Sequence, residues 1–156
     1  MAKQSENELT EKVLFINRTS KVVKGGRKFG FSALVVVGDG QGKAGYGFAK
    51  ANELTDAIRK AGEHARSDLT EICMNGTTIP YETFIKYDGV EILFKPAPEG
   101  SGVIAGSMVR SVLEVAGIKD VMAKNLGGNN PINQVKAAFK ALRSLKPREL
   151  IMDLRS

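Results

Sequence analysis

The chain has 156 residues, 42% of them hydrophobic and 26% charged, with a formal net charge of +6. That balance suits one folded domain or two small ones and excludes a disordered chain, while the excess of cations points toward a polyanion partner. One cysteine, Cys73, allows no intrachain disulfide, and with one histidine, His64, it cannot complete a His/Cys zinc site, so neither an oxidising compartment nor a bound metal is called for.

Residues 1–10 read as a polar, flexible tail that lacks the apolar core of a signal peptide, and no apolar run approaches transmembrane length, so the expected location is the cytosol. Lys12 to Val23 is rich in β-branched residues and predicts a strand, straight or bent. Lys24-Gly25-Gly26-Arg27 predicts a reversal, because paired glycines supply positive φ. Phe29 to Val37 predicts a second strand with Phe29, Phe31, Ala33, Val35 and Val37 on one face. After a turn at Gly38–Gly42, Ala44 to Ala49 predicts a third. Leu54, Ala57, Ile58, Ala61, Ala65, Leu69 and Ile72 then recur at helical spacing, with Asn52 as the N-cap and Asn75-Gly76 as the stop. The first half is therefore expected as β-β-β-α, an antiparallel sheet with one helix on one face, over residues 11–74.

Asn75 to Pro80 marks the expected domain boundary, with a second domain over residues 80–146. Thr83 to Tyr87 and Val90 to Lys95 predict a hairpin across Asp88-Gly89. A loop through Gly102 leads to a predicted helix from Val103 to Ala116, then a strand from Val121 to Asn125. A second helix is predicted from Pro131 to Leu145, with proline in its first turn. Residues 147–156 read as a short helix or flexible tail. The fold class is α+β, in two small domains.

Two glycine motifs suggest chemistry. Gly40-Gln41-Gly42-Lys43-Ala44-Gly45 matches the dinucleotide fingerprint, but it runs into a strand pattern where the fingerprint needs a helix, so it reads as a hairpin. Gly100-Ser101-Gly102-Val103-Ile104-Ala105-Gly106 follows a strand and leads into a helix, where backbone N–H groups could hold an anion. It founds the competing hypothesis of a phosphate-handling enzyme. No acidic pair, nucleophile with a base, or magnesium ligand lies near it, His64 has no catalytic companion, and no catalytic residue or cofactor is expected.

Charge gives the stronger signal. Between Lys12 and Lys50 the cations are Lys12, Arg18, Lys21, Lys24, Arg27, Lys28, Lys43 and Lys50, and the one anion is Asp39. Cations this dense repel one another, and a polyanion relieves that repulsion. The turn at Val23–Lys28, small at its tip and basic on both sides, is shaped to enter a nucleic-acid crevice.

These residues also carry a resemblance. Asn17-Arg18 with Ser20 to Arg27, Val36 to Gly40, Glu99 to Gly106, Val112 to Gly117, and Asn130 to Asn133, in that order, resemble the bacterial small-subunit ribosomal protein five family over about Glu11 to Leu145. The resemblance implies a first domain like a double-stranded-RNA-binding domain without its leading helix. It implies a second of the left-handed β-α-β type, a fold shared with some small-molecule kinases. It further implies a structural role in the small ribosomal subunit: binding of ribosomal RNA, contact with small-subunit proteins four and eight, and an influence on decoding accuracy near the messenger RNA entry path. The Lys21–Lys28 turn matches the family loop near the spectinomycin site. On this basis Arg18, Lys21, Lys24, Arg27, Lys28, Lys43 and Lys50 are the expected RNA-binding cations, and Gly25 and Gly26 permit close approach. Gly102 and Arg110 are the expected interface with protein four, set two helical turns apart on one face. Neither a membrane nor a small-molecule substrate is implied.

Overall fold

The computed structural model describes residues 9–155, except for the side chains of Lys21 and Arg148. The expected 1–10 tail therefore lies largely outside the described residues.

Strands β1 (Thr10–Val23), β2 (Gly26–Gly38), β3 (Lys43–Ala51) and β4 (Thr70–Glu71) form one antiparallel sheet in that order, with helix α1 (Leu54–Ser67) after β3. Strand β2 runs Ala33-Leu34-Val35-Val36-Val37 without a polar break, and all five side chains are fully buried. An uninterrupted apolar strand is one covered on both faces. Ala33, Val35 and Val37 pack with Ala57, Ala61 and Ala65 of α1, as the predicted alternation requires. Leu34 and Val36 point the other way, into a second and larger core. The expectation of a sheet covered on one face is thus incomplete: the second half of the chain covers its other face.

Helix α1 lies close on the sheet because both surfaces are small. A Cβ on Gly45 would overlap the carbonyl of Ala65, and one on Gly47 the carbonyl of Ala61. The alternation Ala44-Gly45-Tyr46-Gly47-Phe48 therefore places glycine under the helix and the rings on the opposite face. The helix ends at Ser67 and not near Ile72 as the periodicity predicts, and its N-cap is Glu53 in place of Asn52. Leu69 and Ile72 keep helical spacing by coincidence. Their segment turns back along the sheet edge, where Thr70 and Glu71 pair with Ala44 and Lys43, and Ile72 N–H donates to Gly42 O at 2.6 Å.

The second sheet has the order β5-β6-β8-β7: β5 (Thr83–Tyr87), β6 (Val90–Pro96), β7 (Val103–Ile104) and β8 (Val121–Asn125). Strands β5 and β6 turn at Asp88-Gly89, both at positive φ (46° and 83°), as a tight hairpin needs. Helix α2 (Ser107–Ala116) links β7 to its parallel neighbour β8, and α3 (Pro131–Arg143) follows. Asn130 caps α3, its Oδ1 accepting from Ile132 N–H, with Pro131 in the first turn. Residues 148–155, expected as a flexible tail or short helix, hold helix α4 (Arg148–Arg155).

The sheets are separate but the larger core is shared. Leu34, Val36, Ala44 and Ile72 belong to the same buried cluster as Phe94, Leu113, Phe139 and Leu142, and the rings of Tyr46 and Phe139 lie 4.9 Å apart. The backbone joins the halves too: Gly40 and Gly42 N–H donate to the carbonyls of Val115 and Ala116 at the end of α2. Ion pairs close the seam, Lys12 with Glu114 at 3.0 Å and Arg143 with Asp68 at 2.8 Å.

Candidate nucleic-acid interface

The ladder between β2 and β3 starts at Phe31, opposite Ala51. Between Gly26 and Gly30, β2 pairs only with β1, in unbroken register from Thr19–Gly30 to Val23–Gly26. The hairpin therefore runs beyond the sheet as a two-stranded ribbon, about 17 Å long for five residues at ~3.4 Å each. Its loop is Lys24-Gly25. Gly25 has φ +99° and Gly26 +158°, and a Cβ on either would meet nothing within 4 Å. Backbone geometry, not crowding, asks for glycine at the tip, which stays slim and open.

Lys24, Arg27 and Lys28 are all exposed on this ribbon, and Arg18, opposite Phe31, and Lys50, opposite Ser32, are exposed at its root. Among the described residues none of these five forms an ion pair, whereas Lys12, Arg59, Arg66, Lys86 and Arg143 do. Lys21 pairs through its backbone with Lys28, and its side chain lies outside the described residues. The Arg18 guanidinium lies 4.4 Å from the centroid of the Phe29 ring. These residues share a face as diagonal neighbours, since Arg18 is opposite Phe31 and Ser20 opposite Phe29. Lys43 is not gathered in. It opens β3 at the far end of the sheet, opposite Glu71, seven residues and about 24 Å along the strand from Lys50.

Gly102 and Arg110 are not on one helix: Arg110 reaches the strand residue next to Gly102. The predicted helix from Val103 is corrected: Val103–Ile104 is strand β7, and α2 begins at Ser107. The cause is Asp120, a residue with no motif around it. Asp120 is 4% exposed, and its Oδ1 accepts the N–H groups of Gly100 at 3.1 Å and Gly102 at 3.0 Å. Val121 N–H donates to Gly102 O, drawing the segment into the sheet. Hydrogen bonds from Thr77 first, then Gly102 and Gly100, outweigh desolvation and hold the Asp120 carboxyl below the usual range. Arg110 reaches back to donate from Nη2 to Val103 O at 2.9 Å. The glycine loop thus spends two N–H groups on the protein's own carboxylate, which argues against the phosphate-handling reading.

The other glycine motif is a hairpin, as expected: Asp39 Oδ1 accepts from Gln41 and Lys43 N–H, and Gly45 lies inside β3. His64 is exposed on α1, with Nδ1 3.4 Å from Phe48 O.

Comparison with known proteins agrees with this arrangement. Residues 9–73 match the family described as ribosomal protein S5, N-terminal domain, and residues 85–155 match ribosomal protein S5, C-terminal domain. The chain belongs to the ribosomal protein S5 family. As a member it is a structural protein and not an enzyme, and its fold is the α+β, two-domain fold of that family. It is 66% identical over 152 residues to small ribosomal subunit protein uS5 of Protochlamydia amoebophila, covering 97% of this chain and 91% of that protein. Proteins of the same name from Chlamydia abortus (60% identity, 96% of this chain and 92% of that protein) and Chlamydia pneumoniae (61%, 92% and 88%) are similar to it as well. The family matches cover both the ribbon and the Gly102–Arg110 region.

Proposed function

We propose that this chain is a structural constituent of the small ribosomal subunit in the cytoplasm, where the β1–β2 ribbon binds ribosomal RNA by shape and charge. The observation that carries this is the projection of Lys24, Arg27 and Lys28 on a slim ribbon outside the core with Arg18 at its root, none of the four ion-paired among the described residues. An RNA duplex presents phosphates and 2′-hydroxyls more readily than base edges, so such a ribbon needs reach and positive charge more than a hydrogen-bonding code. Lys21 lies on the same ribbon by backbone register, and Gly25 and Gly26 let the ribbon tip approach an RNA backbone. Lys50 extends the surface, and Lys43, at the far end of β3, falls outside it.

The second half supplies a protein-facing surface. Phe84, Ile104 and Met122 are exposed on the uncovered face of the second sheet, with Ile104 opposite Met122 in register and two residues from Gly102. Apolar side chains beside an exposed Arg110 suit a protein neighbour better than water. We assign small-subunit protein four to the Gly102–Arg110 region and protein eight to the same half, and place the chain near the messenger RNA entry path with an influence on decoding accuracy. Two arms test this. The chain should co-sediment with small subunits at moderate salt, and Gly102→Arg should raise near-cognate misreading while the altered protein still assembles. Failure to co-sediment refutes the ribosomal role, and unchanged accuracy in assembled subunits refutes the protein-four assignment.

A further inference from the structure

The ribbon leaves the sheet at a corner. Strand β3 stops at Ala51 while β2 continues through Gly30, Phe29 and Lys28, so the outer edge of β2 has no neighbouring strand there. An open hollow of about 410 Å³ occupies the corner, lined by Lys28, Phe29, Gly30, Lys50 and Asn52 among others. That volume falls within the ~300–1,000 Å³ of sites that take small organic groups. Gly30 keeps the floor low: a Cβ there would come within 3.0 Å of Thr19 Oγ1 and 3.3 Å of Ala51 O.

Three features identify the occupant. Phe29 is 49% exposed and outside both buried clusters, so core packing does not account for it. The Arg18 guanidinium at 4.4 Å already forms one layer on its ring, and a planar group would add the next. Lys28 and Lys50 lie on the opposite face of the ribbon from Phe29 by strand alternation, both exposed and, among the described residues, without an ion pair. A flat aromatic group on one side of a strand edge and negative charge on the other is the outline of a nucleotide. We infer that this corner holds one unpaired nucleotide of the bound RNA, its base stacked on Phe29 and its flanking phosphates against Lys28 and Lys50. A base inside a duplex is already stacked on its neighbours and cannot present a face to Phe29, whereas a bulged or looped base can.

This site rests on the RNA-binding reading and sharpens it from shape recognition to recognition of a bulge. The test uses the full chain with two probes: a short RNA duplex carrying one bulged 2-aminopurine, and the same duplex fully paired. The wild type is expected to bind the bulged RNA on the order of tenfold more tightly, with quenching of the 2-aminopurine on binding. Phe29→Ala should lose both the preference and the quenching while keeping its affinity for the paired duplex and its melting temperature. Phe29→Tyr should retain both. Equal affinity of the wild type for the two probes, or a preference that survives Phe29→Ala, overturns the nucleotide site and leaves the RNA-binding ribbon standing. Failure of both probes to bind the wild type overturns that wider reading and the site with it.

Discussion

Replacing Lys24, Arg27, Lys28 and Lys50 together by alanine separates a ribbon that binds phosphates from one that only carries charge. All four are exposed and, among the described residues, none is ion-paired. Their loss should leave folding nearly untouched, within about 0.5 kcal/mol per site. Binding should change in a specific way. Each phosphate contact contributes about 0.9 to the slope of log affinity against log salt on a duplex. Four lost contacts should flatten that slope by roughly 3.6. Over a fourfold rise in salt, the wild type then loses roughly 150-fold more affinity than the variant does (four raised to 3.6). Filter binding or anisotropy with small-subunit ribosomal RNA across a salt series measures it, and thermal unfolding checks the fold. Lys43→Ala is the internal control, because its position at the far end of β3 should leave the slope unchanged where RNA lies along the ribbon. An unchanged slope in the fourfold variant would refute the argument, as would a Lys43→Ala effect equal to that of any ribbon lysine.

The remaining expectations concern the scaffold. Gly25→Val should cost about 1–3 kcal/mol of backbone strain at φ +99°, and by the family resemblance it should alter spectinomycin sensitivity; sensitivity and melting temperature both at wild-type values would count against the tip geometry. Phe139→Ala should cost about 3–5 kcal/mol and, because Phe139 packs in the core shared by both sheets, unfolding followed by circular dichroism should remain a single transition; two separated transitions would show independent cores. Asp120 has a folded-state pKa below its unfolded value, so its contribution to stability is present above the unfolded pKa of about 3.9 and is lost as pH falls through the folded one. Asp120→Asn should remove that part of the acid-unfolding profile, and an identical profile in the variant would contradict it.

Much of the fold is legible in the sequence because the periodicities are local. The hairpin at Asp88-Gly89 is marked by the two residues its turn demands, strand Val121–Asn125 by its β-branched start, and α3 by the pair Asn130-Pro131 at its entrance. The turn at Lys24–Arg27 is legible too, since paired glycines between cationic strands leave few alternatives, but the projection of its hairpin past the end of β3 is not. What escaped is non-local. Leu69 and Ile72 fit a helix until β3 offers their neighbours an edge to pair with. Val103 and Ile104 fit a helix until a buried carboxylate eighteen and twenty residues along the chain fixes Gly102 and Gly100. The second covered face of β2 is signalled by the unbroken apolar run Ala33–Val37, a signal that the alternation of the same residues masks. Lys43 belonged to the charge cluster by sequence distance and leaves it because a strand carries its two ends far apart.

The shared core also bears on how the proposed RNA contact and the proposed protein contact are held in one small protein. Strand β2 starts at the ribbon tip and ends at Gly38, and Gly40 and Gly42 just beyond it donate to the last carbonyls of α2. Helix α2 carries Arg110. A single strand of 13 residues, about 44 Å at ~3.4 Å each, therefore leads from the proposed RNA contact to the helix of the proposed protein contact. The linker between the sheets does not act as a free hinge. Ile79 within it is fully buried, and Thr77 O accepts N–H groups from both Lys119 and Asp120. Asp120 in turn holds the loop that presents Gly102. The spacing between the two surfaces is thus set by core packing and buried hydrogen bonds and not by a flexible tether. A protein of this design would bind RNA and protein neighbours at a fixed distance from each other, which is what a structural constituent requires.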